Sequence, residues 1–290
     1  MPKFFITAKT TTTLLDLLTE NLPKHHDAET VITCGGAWFG RKNRITDPRF
    51  RLKKNDTVQV YVNASQGLFY RIEKEHVVFE DEDLLALYKP GNLNVHAVPS
   101  SICYDLSYGV RCYLEQQGIA TGPVPPTPAT RLDRPVAGVV LFGKNKNSER
   151  LLFELVRNGK VKKWYIAALE KGGQTVRLRI HDTIASSGHK TALHPEGKSA
   201  ATCFVKIDTL AQAEIYSVFP FTGRRHQIRF HASHYLTPVV GDIQYGSRNT
   251  FAPNEIALLC RGYNLPWKGK NLKIRLSESF LNAFYQRAAP

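Results

Sequence analysis

The chain has 290 residues, 42% hydrophobic and 22% charged, with a formal net charge of +14 and a sequence pI of about 9.6. That is enough chain for a sizeable core in one large domain or in a large and a small one, and no apolar run in it is long enough to span a bilayer. Five cysteines, an odd number with no Cys-x-x-Cys pair, argue against a disulfide framework or a zinc ribbon and for reduced thiols that fill the core. The positive charge raises a polyanionic partner, and the start Met-Pro-Lys-Phe-Phe carries no signal-peptide pattern, so the expectation is a cytoplasmic protein that meets nucleic acid rather than membrane.

Residues 1–65 are expected to form a separate small module. Thr13 can cap a short helix whose Leu14, Leu15, Leu17 and Leu18 make an apolar face, stopped by Leu22-Pro23. Val31 to Cys34, a Gly35-Gly36 break and a basic stretch follow. That stretch contains Arg41, Lys42 and Arg44 beside the aromatics Trp38 and Phe39. A charge run is usually a solvated face; beside aromatics, in a chain this basic, it reads as a face that tracks phosphates. Thr57 to Val62 alternates as a strand should, and residues 63–67 read as the linker to a second domain, 66–290.

In that domain Val77 to Pro90 predicts a strand, an acidic turn and a second strand. Asp105 to Gln117 predicts a helix ended by Gly118, and Gly122 to Pro128 a proline-rich loop. The loop leads to Arg131-Leu132-Asp133-Arg134, a carboxylate between two guanidiniums, and then to a strand from Val136 to Phe142. Ser148 is the expected cap of a helix through Leu151, Leu152, Leu155 and Val156, closed at Asn158-Gly159. Strands are predicted at Val161–Leu169, Val176–Ile180, Ala200–Ile207 and Ala213–Phe219, with a polar loop rich in His, Ser and Gly between the second and third. Thr222 is the expected cap of a helix that Thr237-Pro238 stops, in which Arg225 and Arg229 share one face. A strand is predicted at Val239–Asp242, and late strands at Ile256–Leu259 and Leu272–Leu276.

The chemistry narrows by elimination. No Walker loop, dinucleotide fingerprint or nucleophile elbow is present, and His226, His231 and His234 have no Cys, Asp or Glu at ligand spacing, so no metal or organic cofactor is expected. Asp133 has no second acid nearby in sequence. Asp242 is the other candidate, and capping of its own Gly-Asp turn explains it. Alone, Asp133 between arginines is more often a structural ion pair than a reaction centre. One acid, many guanidiniums and an aromatic such as Tyr165 on a strand suit chemistry on a nucleotide within RNA, where a base must be taken out of its stack.

Arg131-Leu132-Asp133-Arg134-Pro135-Val136-Ala137-Gly138 resembles the signature of the RluA-type pseudouridine synthases. Four further stretches agree in order: Glu80 to Leu85 with Lys89-Pro90 and Val95-His96; Lys163 to Ala167; Gly197 to Thr202; and Thr222 to His231 with Pro238 to Asp242 and Tyr245-Gly246. The resemblance covers residue 70 onward. It implies an α+β pseudouridine synthase fold with a central mixed, mostly antiparallel β-sheet and flanking helices. Residues 1–65 resemble the RNA-binding module of the ribosomal S4 protein type. The implied activity is isomerisation of uridines to pseudouridine in structured RNA, ribosomal RNA first. Transfer RNA, or an inactive RNA-binding protein or chaperone of the same fold, are the alternatives. The implied roles are Asp133 as the essential aspartate, Tyr165 as the tyrosine packed against the uracil and Arg229 as the partner of the aspartate. Arg131, Arg225, His226 and Gln227 fall on the RNA side, with Arg41, Lys42 and Arg44 in the module. No cofactor, membrane or obligate protein partner is implied, and the chain is expected to be a monomer. Thr130, Pro135 to Ala137, Leu259 and Asn92 depart from the family pattern, which points to a different target or a differently shaped side where the nucleotide enters.

Overall fold

The computed structural model describes residues 3–40, 42–62, 68–122, 125–172, 175–188 and 190–288, so Arg41 and the expected linker at 63–67 lie outside the described residues. Two compact units are present, residues 1–72 with 94–126, and residues 73–93 with 127–290. This division differs from one at residue 65: residues 66–72 and 94–126 group with the first unit.

The first unit holds β1 (Lys3–Thr7), β2 (Thr12–Thr13), α1 (Leu14–Asn21), α2 (Ala28–Thr33), β3 (Ala37–Phe39), β4 (Asn43–Ile45), β5 (Arg51–Leu52), β6 (Thr57–Tyr61) and, much later in the chain, α3 (Leu106–Gln116). Thr13 caps α1 by accepting from the Asp16 amide, and Leu14, Leu17 and Leu18 are its buried face. Asp27 caps α2 in the same way. A four-stranded sheet, β1-β6-β3-β4, packs with both helices around Val31, Ile32, Val58 and Val60. Asp105 caps α3 through the Tyr108 amide, and Leu106, Val110 and Leu114 are buried along one side.

The second unit is built on one ten-stranded sheet. Its strands are β7 (Val77–Glu80), β8 (Leu84–Lys89), β9 (Ala137–Gly143), β10 (Lys162–Glu170), β11 (Arg177–Ser187), β12 (Lys190–Leu193), β13 (Lys198–Thr209), β14 (Ala213–Pro220), β15 (Leu258–Trp267) and β16 (Lys270–Arg275). The order is β12-β11-β13-β14-β10-β15-β9-β8-β7, with β16 beside the far half of β15. Within this sheet the β15–β9 pair is parallel and the other pairs are antiparallel, so the sheet is mixed and mostly antiparallel. Three helices flank it, α4 (Lys146–Arg157), α5 (Gln227–Tyr235) and α6 (Glu278–Ala288). The apolar runs of β8, β9 and β10 are explained by burial: Leu84 to Leu87, Val139 to Phe142 and Ile166 to Leu169 are each 0% exposed.

Four local expectations are corrected. Asn145, not Ser148, caps α4; Ser148 sits three residues in and closes a reciprocal capping box, so the cap signal was real but displaced by one turn. The polar stretch after Ile180 is not a loop but the β11–β12 hairpin, whose buried Ile184 and Thr191 keep the strand period among polar residues. Val239–Asp242 forms a single bridge, Leu169 to Val239, rather than a strand. Thr222 does not cap a helix. Residues 221–226 are a loop, and α5 begins at Gln227 after His226 in a left-handed conformation at φ 52°. The five cysteines form no disulfide, and all but Cys112 are buried. Among the described residues no helix is long and apolar enough to cross a membrane.

Candidate functional site

The Asp133 turn is fixed before its side chain is considered. The Val136 amide donates to the Asp133 carbonyl at 3.0 Å, and the Ile256 amide donates to the Pro135 carbonyl at 3.2 Å. From the end of β8, Lys89 reaches in with no exposed surface. Its Nζ donates to the carbonyls of Pro90 (2.8 Å), Leu93 (2.9 Å) and Arg134 (3.2 Å). Burial pushes the Lys89 ammonium down to about 7, while Asp133 and Glu255 oppose that shift. Three carbonyls around one nitrogen match the three N–H donors of the charged form. Arg134, left without a role by the sequence, turns back to the Asn92 carbonyl at 3.4 Å.

The Asp133 carboxylate meets the buried helix α5 rather than its own neighbouring arginines. Arg229 Nη1 donates to Asp133 Oδ2 at 3.1 Å, and His226 Nε2 lies 3.6 Å from the same oxygen. The rest of the Arg229 fork is held from behind. Nε and Nη2 donate to the two oxygens of Asp242 at 2.6 and 2.8 Å, Nη2 also to Gln244 Oε1 at 2.8 Å, and the guanidinium lies 5.0 Å from the Tyr245 ring centroid. Burial alone would lower the Arg229 pKa; Asp242 and then Asp133 outweigh it and raise it. Asp242 is 1% exposed, so it is an ion partner as well as a turn residue. The bidentate match of guanidinium to carboxylate is the strong geometry for such a pair.

His226 is oriented by Tyr245. The Thr191 amide donates to the Tyr245 hydroxyl at 2.9 Å, and that hydroxyl lies 2.9 Å from His226 Nδ1. With the hydroxyl donating to Nδ1, the neutral imidazole carries its proton on Nε2, facing Asp133. Burial lowers the His226 pKa, with Arg229 and Arg225 adding to it and Asp133 opposing, so the ring is neutral at pH 7.

These groups open on a cavity of about 530 Å³. Among its described lining residues Asp133 is the one acid, against Arg131, Arg157, Lys163, Arg224, Arg225 and Arg229. Tyr165 projects from β10 to its floor, 8% exposed, with Tyr263 and Leu258 beside it. Burial, then Cys260, raise the Tyr165 pKa well above 10, so the phenol stays protonated. Thr130 faces the backbone, accepting from the Leu141 amide at 3.0 Å. A half-buried carboxylate next to a fixed cation, a neutral imidazole and a neutral phenol, under a basic rim, can act on an anionic ligand as a nucleophile or as a base. Among the described residues no three His, Cys, Asp or Glu side chains are grouped to hold a metal ion.

Asp133, Tyr165, Arg229, Arg131, Arg225, His226 and Gln227 all line this one cavity. Their orientations differ from the helical expectation. Arg225 precedes α5 and donates to the Gly188 carbonyl at 3.0 Å, so it does not share a helix face with Arg229. Gln227 is 4% exposed and its carboxamide is used internally. It accepts from Thr222 Oγ1 (2.6 Å) and the Arg224 amide (3.0 Å), and donates to the Ala201 carbonyl and Thr202 Oγ1. Gln227 therefore fixes the 221–226 loop. Lys42 and Arg44 belong to the first unit. Arg44 lies 4.5 Å from the Trp38 ring centroid and donates to the Val98 carbonyl, while Lys42 is exposed. Lys89, Gln244 and Tyr263 receive no role from the sequence, and Asp242 reads there as a turn cap. Lys89 ends the apolar run of β8 and, like Asp242, falls in a stretch that carries the family resemblance, which is the available signal for both.

Residues 83–234 match the family model described as RNA pseudouridylate synthase. The ribosomal large subunit pseudouridine synthase C of Buchnera aphidicola subsp. Baizongia pistaciae is 26% identical over 247 residues, 78% of this chain and 73% of that protein. Its namesake from Salmonella typhimurium is 30% identical over 222 residues, 71% and 67% of the two chains. Among solved structures, human RNA pseudouridylate synthase domain containing 4 superposes with a TM-score of 0.60 at 19% identity, over 73% of this chain and 92% of that one, a likeness of fold.

Proposed function

Because the chain belongs to the RNA pseudouridylate synthase family, in its RluA-type branch, and these enzymes are isomerases that act on RNA, we propose that it converts specific uridines of large-subunit ribosomal RNA to pseudouridine. The observation that carries this reading is the carboxylate of Asp133, 3.1 Å from Arg229 Nη1, the one acid among the described residues of a cavity that six cations also line and Tyr165 floors. The names of the relatives, which specify the large ribosomal subunit, support the choice of RNA.

The reaction breaks the bond from C1′ of the ribose to N1 of uracil, turns the base, and joins C1′ to C5. C5 gives up its proton and N1 ends protonated, so atoms and electrons balance within the nucleotide. The target uridine has to leave its stack to reach Asp133. Asp133 acts on the flipped nucleotide, and Arg229 Nη1, 3.1 Å away, holds its carboxylate in position. Tyr165 packs against the base as a neutral phenol, and can take the C5 proton only by passing on its own. Arg131 and Arg225 hold the flanking RNA at the rim, His226 faces the nucleotide beside Asp133, and Gln227 fixes the 221–226 loop that carries Arg225 and His226. Residues of the first unit, Lys42 and Arg44 among them, act as an RNA-binding module of the S4 type in a cytoplasmic, monomeric protein.

The test is a map of pseudouridines in RNA from cells lacking the gene, complemented with the wild-type or the Asp133→Asn form. At least one large-subunit site should disappear and return only with the wild type. A complete set of ribosomal sites in the deletion strain would overturn the substrate, and a missing transfer RNA site in that strain would replace it.

A further inference from the structure

The face of the large sheet away from the cavity carries a set of side chains that the chemistry above does not use. Side chains alternate along β10, so Trp164 points away from the cavity that Lys163 and Tyr165 line. The strand register places it in one cross-strand row. Arg179 on β11 is opposite Cys203, Cys203 is opposite Phe219, Trp164 follows on β10 beside Phe219, and Trp164 is opposite Gly262, which is opposite Arg275. At about 4.8 Å per strand the row runs roughly 24 Å. β15 carries an extra residue at this point, Arg261, and the irregularity brings its guanidinium to 4.1 Å from the Trp164 centroid. The Arg275 guanidinium is at 4.8 Å. Gly262 between them has no room for a side chain, since a Cβ there would lie 2.0 Å from the Ile274 carbonyl oxygen. Phe219 lies beside the indole, 16° from parallel and 36% exposed.

The row is rich in unbalanced positive charge. Arg261 reaches Glu278 at 3.2 Å, a carboxylate whose side chain is 77% exposed. Among the described residues no carboxylate pairs with Arg179 or Arg275. The row is also continuous with the cavity: Phe221, 60% exposed, lines the cavity two residues beyond Phe219, about 7 Å along the chain.

We propose that this row is a second RNA track, which takes the strand flanking the target uridine after it crosses the Phe221 rim. The inference rests on the RNA-modifying function proposed above. Arginines meet phosphates, and bases stack on Phe219 and on the guanidinium-capped Trp164. Aromatic platforms with interleaved arginines bind single strands without regard to sequence, over about 4–16 nucleotides.

The full chain is titrated with fluorescein-labelled oligouridylates of about 5 and about 20 nucleotides, lengths that bracket such a site. An Arg179→Gln/Arg275→Gln form should bind the long oligomer about tenfold more weakly and the short one as the wild type does. The slope of log affinity against log salt should fall by about 1–2 on the long oligomer. Turnover of the target RNA at saturation should be unchanged, with a raised KM. On the unaltered protein, a long oligomer carrying 4-thiouridine should crosslink, mapped to single residues, to Trp164 and Phe219 as well as to the cavity, a readout that no variant's folding can disturb. Equal affinities of variant and wild type for the long oligomer, an equal loss on both lengths, or crosslinks confined to the cavity would each overturn the track. Displacement of the long oligomer by polyglutamate as effectively as by RNA would assign the row to an acidic protein instead. Pseudouridine formation and oligomer binding are read separately, so a failed isomerase with length-dependent binding sinks the function alone.

Discussion

Arg229 lies between two carboxylates in opposite surroundings. Asp242 has 1% of its side chain exposed and takes two N–H bonds from the guanidinium; Asp133 keeps 29% exposed and takes one. The bidentate bond fixes where the cation is, and the single bond leaves the second oxygen of Asp133 and its outward lone pairs for a ligand. The elements that bring Asp133 and Arg229 together are themselves tied down. Lys89 ties the turn that carries Asp133, and on the α5 side His231, with no exposed surface, bonds through Nδ1 to Thr202 Oγ1, which holds Gln227. The sequence puts an arginine on each side of Asp133, yet fixed charge reaches it from a helix 96 residues away.

This contrast can be broken at four points, in order of lost turnover. Asp133→Asn should lower single-turnover pseudouridine formation by about 1,000-fold or more with a nearly unchanged melting temperature, because a reacting group is lost from a partly solvated place. If activity survives, Asp133 is the structural ion and the roles of the two carboxylates reverse. Asp242→Asn should cost about 3–5 kcal/mol of stability in denaturant titrations, since it leaves a buried guanidinium short of its main counter-charge. It should also slow turnover by about 100-fold through displacement of Arg229. A stable, fully active variant would show that Asp133 suffices to hold the arginine. Lys89→Met strands three carbonyls, and should cost about 1–3 kcal/mol and about tenfold in turnover, both visible in paired melting and rate measurements. His231→Gln should leave neutral-pH turnover in place and change only the response to acid. Burial lowers the His231 pKa to about 4 from an ordinary 6.5, so the unfolded chain binds the extra proton between those values and stability falls as the pH drops from 6.5 to 4. His231 should account for about 3 kcal/mol of the stability lost over that window, and the variant's melting temperature should be flatter across it.

The sheet was legible because its strands are buried on one or both faces and announce themselves by composition; β8, β9 and β10 needed no more than that. That Asp133, Tyr165 and Arg229 share one cavity was legible only through resemblance, since no periodicity links residues 133, 165 and 229. What the sequence concealed was contact between polar residues distant in the chain. Asp242 reads as a turn, Lys89 as the end of a strand and Gln227 as a polar residue facing RNA, until burial shows that their partners are other parts of the protein. The cap of α4 and the start of α5 were misplaced by local signals that competed: Ser148 and Thr222 both have capping chemistry, but Asn145 takes the first role and Gln227 uses Thr222 for the loop. The β11–β12 hairpin hid behind His, Ser and Gly, which are common in loops but fit an edge strand with a solvated face.

The first compact unit takes residues from both sides of the segment 73–93, so the chain passes between the units three times rather than once. Residues 98–102 are tied to the earlier part of that unit by the Trp38 indole donating to the Pro99 carbonyl, Arg44 donating to the Val98 carbonyl, and the Ile102 amide donating to the Cys34 carbonyl. A protein cut after residue 67 would therefore keep residues 94–126 and lose what they bond to. The N-terminal segment is thus a poor candidate for exchange between relatives by simple gene fusion. A workable graft would have to carry both stretches, 1–72 and 94–126, and be spliced at three junctions instead of one.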